Sequence, residues 1–163
     1  MRKEALFMNR LKQTYPDMIL NSTVRGGSSR RRPDGLLRFQ TFALIVEIDE
    51  HRHTHYDHSD ETARLIDLYN DLKQIPTIVI RLNPDRYYID GNPQYGCFYN
   101  NRARTEEIDY RYHTLDYYIR NYLRNPPTEG IAVRKLFFSK QTVAPNPDIN
   151  IDLLHELDAI AVA

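Results

Sequence analysis

Residues 33–53 read PDGLLRFQTFALIVEIDEHRH. Three carboxylates within them, Asp34, Glu47 and Asp49, fall on what read as two adjacent strands. Asp34 follows Pro33 and opens the apolar run Gly35-Leu36-Leu37. A short polar turn around Arg38 and Gln40 leads into Ala43-Leu44-Ile45-Val46, which continues as Glu47-Ile48-Asp49-Glu50. Side chains alternate along a strand, so Glu47 and Asp49 share one face while Val46 and Ile48 take the other. Carboxylates spaced this way stand about 6–7 Å apart by strand rise, close enough to call for a cation. Two readings follow from the residues alone: a site for a hard metal ion, or solvated acids at a strand end. Glu50 is expected on the opposite side from Glu47 and Asp49.

Outward from this segment the chain alternates between helical and strand patterns. Residues 2–13 predict an amphipathic helix with Leu6, Phe7 and Leu11 on one face, ended by Pro16. Met18-Ile19-Leu20 and Val24 predict a strand. The basic stretch Arg25-Gly26-Gly27-Ser28-Ser29-Arg30-Arg31-Arg32 reads as flexible. From Ser59 to about Gln74, Leu65, Leu68, Tyr69 and Leu72 recur at helical spacing behind a Ser59 or Asp60 cap. Thr77-Ile78-Val79-Ile80, running to Leu82, predicts a buried strand. Strand, helix and strand at this spacing form a crossover unit, so the two strands should be parallel neighbours.

The second half is less regular. Pro84, Gly91, Pro93 and Gly96 among many tyrosines make residues 84–104 a long loop or irregular hairpin. Residues 105–124 return to helical spacing, with Ile108, Tyr112, Leu115, Ile119 and Tyr122 on one face, until Asn125-Pro126-Pro127 stops them. Residues 131–133 and 136–138 predict a late strand. A proline-bearing link, Ala144-Pro145-Asn146-Pro147, precedes a short tail helix over residues 151–160, either a packing element or a docking helix. One α/β domain is expected over residues 1–143, with a mixed central sheet flanked by helices. Residues 84–104 are its tyrosine-rich insertion, and residues 144–163 are linker and tail.

Composition bounds the partners. The 163 residues hold 22 Lys plus Arg and 22 Asp plus Glu, so any nucleic-acid surface must come from local segregation of charge. The single cysteine, Cys97, excludes an intramolecular disulfide and fits a reducing compartment. No apolar run reaches the roughly 18–20 residues that span a bilayer. The opening MRKEALFMNRLK lacks the apolar centre of a secretion signal. A soluble, intracellular protein without a membrane partner is expected.

The order helix, strand, Pro33-Asp34 at the next strand, Glu47-Ile48-Asp49 at the end of the third, then helix and strand, resembles the PD-(D/E)XK nuclease superfamily. Twelve residues (35–46) separate Asp34 from Glu47. The stretch EIDEHRH is similar to the very-short-patch-repair-like endonuclease branch, where E-x-D is followed by a histidine. Segments around Arg64-Leu65-Ile66-Asp67-Leu68 and Ile80-Arg81-Leu82-Asn83-Pro84-Asp85 resemble uncharacterised nuclease-like proteins, several from large DNA viruses. The likeness covers residues 15–85 well and the later helix and strand loosely. It implies a restriction-endonuclease-like αβββαβ core and a metal-dependent endodeoxyribonuclease, active in DNA repair, recombination or genetic-element mobility. It also implies Mg²⁺ or Mn²⁺ held by Asp34, Glu47 and Asp49, with His53 at the same centre. DNA is the implied partner, and a homodimer would let a small nuclease cut two strands.

Asp49 departs from the pattern, because it stands where the superfamily carries lysine. An aspartate there serves as a third metal ligand or as base to the attacking water. The missing positive charge would then come from Arg64, Lys73 or His53. Without it the chain would be an inactive nuclease fold that binds DNA or protein. Phosphate contacts are expected from Arg25, Arg30, Arg31 and Arg32, beside Asp34, and from Arg64 and Arg81; the alternative for the loop is a solvated one. Residues 51–58 hold four of the six histidines, which opens a rival reading as a zinc-binding interaction domain. Twelve tyrosines and no tryptophan, interleaved with Arg86, Arg102, Arg104 and Arg111, either stack unpaired bases or close a loop over the core.

Overall fold

In the computed structural model, which describes residues 3–50, 58–138 and 157–160, the chain opens with α1 (Lys3–Thr14). It then lays down β1 (Ile19–Leu20), β2 (Gly35–Arg38) and β3 (Ala43–Ile48), followed by α2 (His58–Asp71) and β4 (Thr77–Leu82). Two small hairpins come next, β5 (Tyr87–Ile89) with β6 (Asn92–Gln94) and β7 (Phe98–Tyr99) with β8 (Arg102–Ala103). The chain continues through α3 (Thr105–Arg124) to β9 (Ile131–Leu136) and β10 (Leu157–Ile160). Among the described residues no helix is long and apolar enough to cross a membrane.

The main sheet has six strands in the order β1-β2-β3-β4-β9-β10. It is mixed: β1, β2 and β3 run antiparallel in turn, β3, β4 and β9 are parallel, and β10 returns antiparallel to β9. This is the expected α/β architecture, a mixed sheet flanked by helices. Its centre follows from the runs ALIVEI and TIVIRL, every residue of which is buried. Strands apolar on both faces need cover on both sides, and the α2 crossover makes them parallel.

The two faces have separate cores. Leu44, Val46 and Ile48 of β3 and Ile78, Ile80 and Leu82 of β4 pack with Phe7, Met8 and Leu11 of α1 and Tyr112, Leu115 and Ile119 of α3. A side chain at Gly35 would collide with Met8 and Met18, so its absence lets this layer close on β2. On the other face Ala43, Ile45, Val79 and Val133 meet Leu65, Leu68 and Leu72 of α2.

Two expectations are corrected. Leu157–Ile160 forms a strand on the outer edge of β9 instead of the end of a tail helix; residues 151–156 lie outside the described residues. The edge of β9 offers Leu157–Ile160 ready hydrogen-bond partners, which a free helix would forgo. The stretch 25–32, expected to be flexible, is pinned to α2. Asp71 accepts bonds from the Ser28 and Ser29 amides, at 3.0 and 3.1 Å, and from the Ser29 hydroxyl. Burial opposes the Asp71 charge, but the Ser29 hydroxyl and these two amides outweigh it and hold its carboxyl below the usual value. Gly27 lies so close that a Cβ there would stand 2.6 Å from Asp71 Cβ.

Candidate active site

The register Gly35↔Val46, extended by one residue, sets Asp34 across from Glu47 on adjacent strands. Both lie on the α2 face, because Gly35 and Leu37 turn towards the α1 layer. The Asp34 amide donates to Glu47 Oε2 at 3.3 Å, and the Ile48 amide donates to Asp34 Oδ2 at 2.7 Å. Glu47 is buried, and Arg64 of α2 reaches its Oε1 from Nε and Nη2 at 3.2 and 2.8 Å. Arg64 also donates to the Arg32 carbonyl at 3.1 Å, which ties the basic stretch to the site.

Asp49 lies one residue beyond β3 on the same face. Arg81, on β4 in register with Glu47, clamps it with two bonds, Nε to Oδ2 at 2.7 Å and Nη2 to Oδ1 at 2.9 Å. A second ion pair joins Arg81 to Glu61 in the first turn of α2. Arg81 is 7 % exposed, so it is spent on two acids and is not offered to a phosphate. Arg64, less buried, reaches Glu47 and so brings a positive charge to the acids, one of the sources expected for the charge that Asp49 cannot supply. Strand alternation puts Arg81 inside the sheet–helix layer, where an unpaired guanidinium would be costly.

Asp34 carries the electrical strain of the site. Burial, then the nearby Glu47 charge, raise its carboxyl from 3.8 to about 8, against the pull of the Ile48 amide. Among the described residues, four carboxyls, Asp34, Glu47, Asp49 and Glu61, face two arginines, Arg64 and Arg81, and a proton on Asp34 makes up part of the deficit. The sign for stability follows. A carboxyl with a raised folded pKa binds more protons folded than unfolded between about pH 4 and pH 8, so stability falls as pH climbs through that window. Asp34→Asn should therefore flatten the decline and raise the melting temperature of metal-free protein at pH 8.5 by about 2–6 °C. Thermal melts from pH 4 to 9 check this; parallel pH curves for variant and wild type would refute it.

The donor set is all oxygen, which suits Mg²⁺ or Mn²⁺ more than zinc. Asp34 and Glu47 fit a cation that takes one or two carboxylates and keeps waters for its other positions. Arg81 bonds both oxygens of Asp49, whereas Arg64 takes Oε1 of Glu47 alone and leaves Oε2 to the Asp34 amide and a cation. Among the described residues no three His, Cys, Asp or Glu side chains are grouped to hold a metal ion. The three-carboxylate set expected from the sequence is thus a pair with a third acid drawn aside. His53 and the rest of the histidine run at 51–57 lie outside the described residues.

No family model, curated protein or solved structure matches the chain.

The basic stretch is divided in use. Arg31 pairs with Asp67 at 3.2 Å, and Arg32 donates to the Asn21 carbonyl from Nε and Nη2 at 3.1 and 2.7 Å. Arg25 and Arg30 are exposed beside them. Glu50 points to the opposite face, as expected, and its Oε1 accepts from the Glu4 amide at the start of α1 at 3.0 Å. The sequence reading missed Glu61. Its signal was there: it precedes Leu65 and Leu68 by four and seven residues, on the helix face that packs against the sheet.

Proposed function

We propose that the chain is a metal-dependent endonuclease that hydrolyses phosphodiester bonds in DNA, with Asp34 and Glu47 as the anchor for Mg²⁺ or Mn²⁺. The observation that carries this reading is the pairing of half-buried Asp34 with buried Glu47 at the ends of adjacent strands. Among the described residues it belongs to a cluster with more carboxyls than arginines, in an αβββαβ order, beside a stretch of arginines. Arg64 answers the Glu47 charge, but burial and that charge leave the Asp34 carboxylate without a cation of its own, a perturbation of the kind that marks functional sites. A bound divalent ion would polarise the phosphate and lower the pKa of an attacking water. Arg64 fixes the orientation of Glu47, and the Ile48 amide fixes that of Asp34. Arg25 and Arg30 supply exposed cations for the strand backbone.

The test is incubation of purified protein with supercoiled, single-stranded and branched DNA in Mg²⁺ or Mn²⁺, alongside Asp34→Asn and Glu47→Gln. Cutting that needs metal and falls at least about 100-fold in each variant is the expected result. A second reading, a nuclease fold that binds DNA without cutting it, is favoured by the Arg81 clamp on Asp49. It requires binding that ignores both magnesium and Asp34→Asn, and no cleavage in either metal.

A further inference from the structure

The tyrosine- and arginine-rich segment between β4 and α3 takes no part in the acid cluster. Its two hairpins form a groove against the start of α1. A cavity of about 410 Å³ is lined by Lys3, Arg86, Tyr95, Phe98, Tyr99 and Arg104, among others. A second, of about 850 Å³, shares Lys3 and Phe98 with it. Tyr95 and Tyr99 are 70 % and 65 % exposed, whereas Tyr112, Tyr118 and Tyr122 of α3 are in the core. Large aromatic faces left in water beside three cations need an explanation that core packing does not give.

The rings are presented on a fixed frame. Arg111 donates to the Tyr95 carbonyl at 2.5 Å, the Cys97 amide to the Pro84 carbonyl at 2.9 Å, and the Arg104 amide to the Cys97 carbonyl at 2.7 Å. Gly96 lets the strand exit and the hairpin touch: a Cβ there would stand 2.7 Å from the Arg86 nitrogen. Binding on such a frame loses little conformational entropy. The Arg104 guanidinium covers one face of the Tyr95 ring, 4.2 Å from its centre, and the exposed remainder of the ring is left for a flat partner. The groove lies at the same end of the sheet as the acids but on the α1 face, opposite the one that Asp34, Glu47 and Asp49 take. Lys3 is ion-paired with Asp85, which follows β4, and its neighbour Glu4 is bonded to Glu50 at the end of β3.

We propose that this groove binds unpaired nucleobases of a single strand, stacked on Tyr95 and Tyr99, with the flanking phosphates on Arg86 and Arg104. Bases paired and stacked in a duplex have no free face to offer, while an unpaired base does. The cavity volume suits a nucleoside. The inference rests on the nuclease reading for what becomes of the strand, and it names that site's substrate as single-stranded or locally unpaired nucleic acid.

Binding of fluorescein-labelled oligodeoxyuridylate, oligouridylate and a blunt duplex to the full chain, read by fluorescence anisotropy in EDTA, tests it apart from any cutting. Wild type should prefer the single strands, and whichever sugar binds more tightly names the natural strand. Tyr95→Ala and Tyr99→Ala should each weaken single-strand binding about 10-fold, while Tyr95→Phe, which keeps the ring, binds as wild type. Arg86→Ala should lower the slope of log affinity against log salt by about 0.7. Preference for the duplex, or alanine variants that bind within about twofold of wild type, overturns the proposal. Single-strand binding without cleavage in any metal would leave this inference standing and the nuclease reading fallen; cleavage without any tyrosine effect would do the reverse.

Discussion

Arg81→Met is expected to lower folding stability by about 3–5 kcal/mol, the cost of leaving buried charge without its partner. For a chain of this size that is a drop of about 6–20 °C in melting temperature. Methionine keeps much of the apolar stem, so lost packing is a small part of the effect. What remains is Asp49 and Glu61, facing each other across the gap that the guanidinium bridged. Glu61 is buried and Asp49 nearly so, and neither can take water freely in exchange. Adding Asp49→Asn and Glu61→Gln to Arg81→Met should therefore recover most of the loss, although each adds a substitution. Calorimetric melts of the single and triple variants decide it. A single variant that melts within about 2 °C of wild type, or a triple variant no better than the single, would show that the clamp is not what holds this end of the sheet.

Arg111→Met carries a similar expected cost, about 3–5 kcal/mol, from a different part of the molecule. The Arg111 side chain is 0 % exposed and reaches four acceptors. Nη1 donates to the Asn83 and Asp85 carbonyls at 2.6 and 2.9 Å, Nη2 to Tyr95, and Nε to Glu107 at 2.8 Å. Its guanidinium also lies 4.8 Å from the Phe137 ring centre and 5.5 Å from that of Tyr87. It thus joins α3, the exit of β4 and the first hairpin at one point. Arg111→Lys should rescue little, because one ammonium cannot cover a fork of acceptors spread over three segments. Thermal melts with hydrogen exchange across residues 84–104 read the result. A lysine variant as stable as wild type, with unchanged protection of the hairpins, would contradict it.

Both arginines show where local pattern stops. Arg111 sits among tyrosines in a helix, so its spacing suits a nucleic-acid surface as well as a core. Its burial depends on carbonyls contributed by Asn83 and Asp85, 28 and 26 residues away. The same residue type at Arg86 and Arg104 stays at the groove. No local rule separates these cases, because the desolvation of a guanidinium is offset only by acceptors brought from elsewhere in the chain.

Periodicity reported well on the elements themselves. The run from Ala43 to Ile48, the helix over residues 105–124 and the parallel pairing of β3 with β4 all follow from apolar spacing and from the length of the α2 crossover. Strand alternation also put Glu47 and Asp49 on one face and Glu50 on the other. These are local properties: a strand has a period of two, a helix 3.6, and a right-handed crossover leaves few choices of neighbour. The helix expected over residues 151–160 was misread at Leu157–Ile160 because the decision lay with the open edge of β9, on which spacing within the segment does not report.

At the acid cluster, residue order was enough to place Asp34 and Glu47 on neighbouring strands. Their direct opposition came from the register of β2 on β3, which a slip of one residue would have destroyed. Tertiary structure alone decided that Asp49 goes to Arg81, that Glu61 joins them, and that Asp71 fastens the arginine stretch. Each of those bonds joins residues more than 15 positions apart, and charge neutralisation in a buried layer acts on distance in space, to which sequence separation is blind.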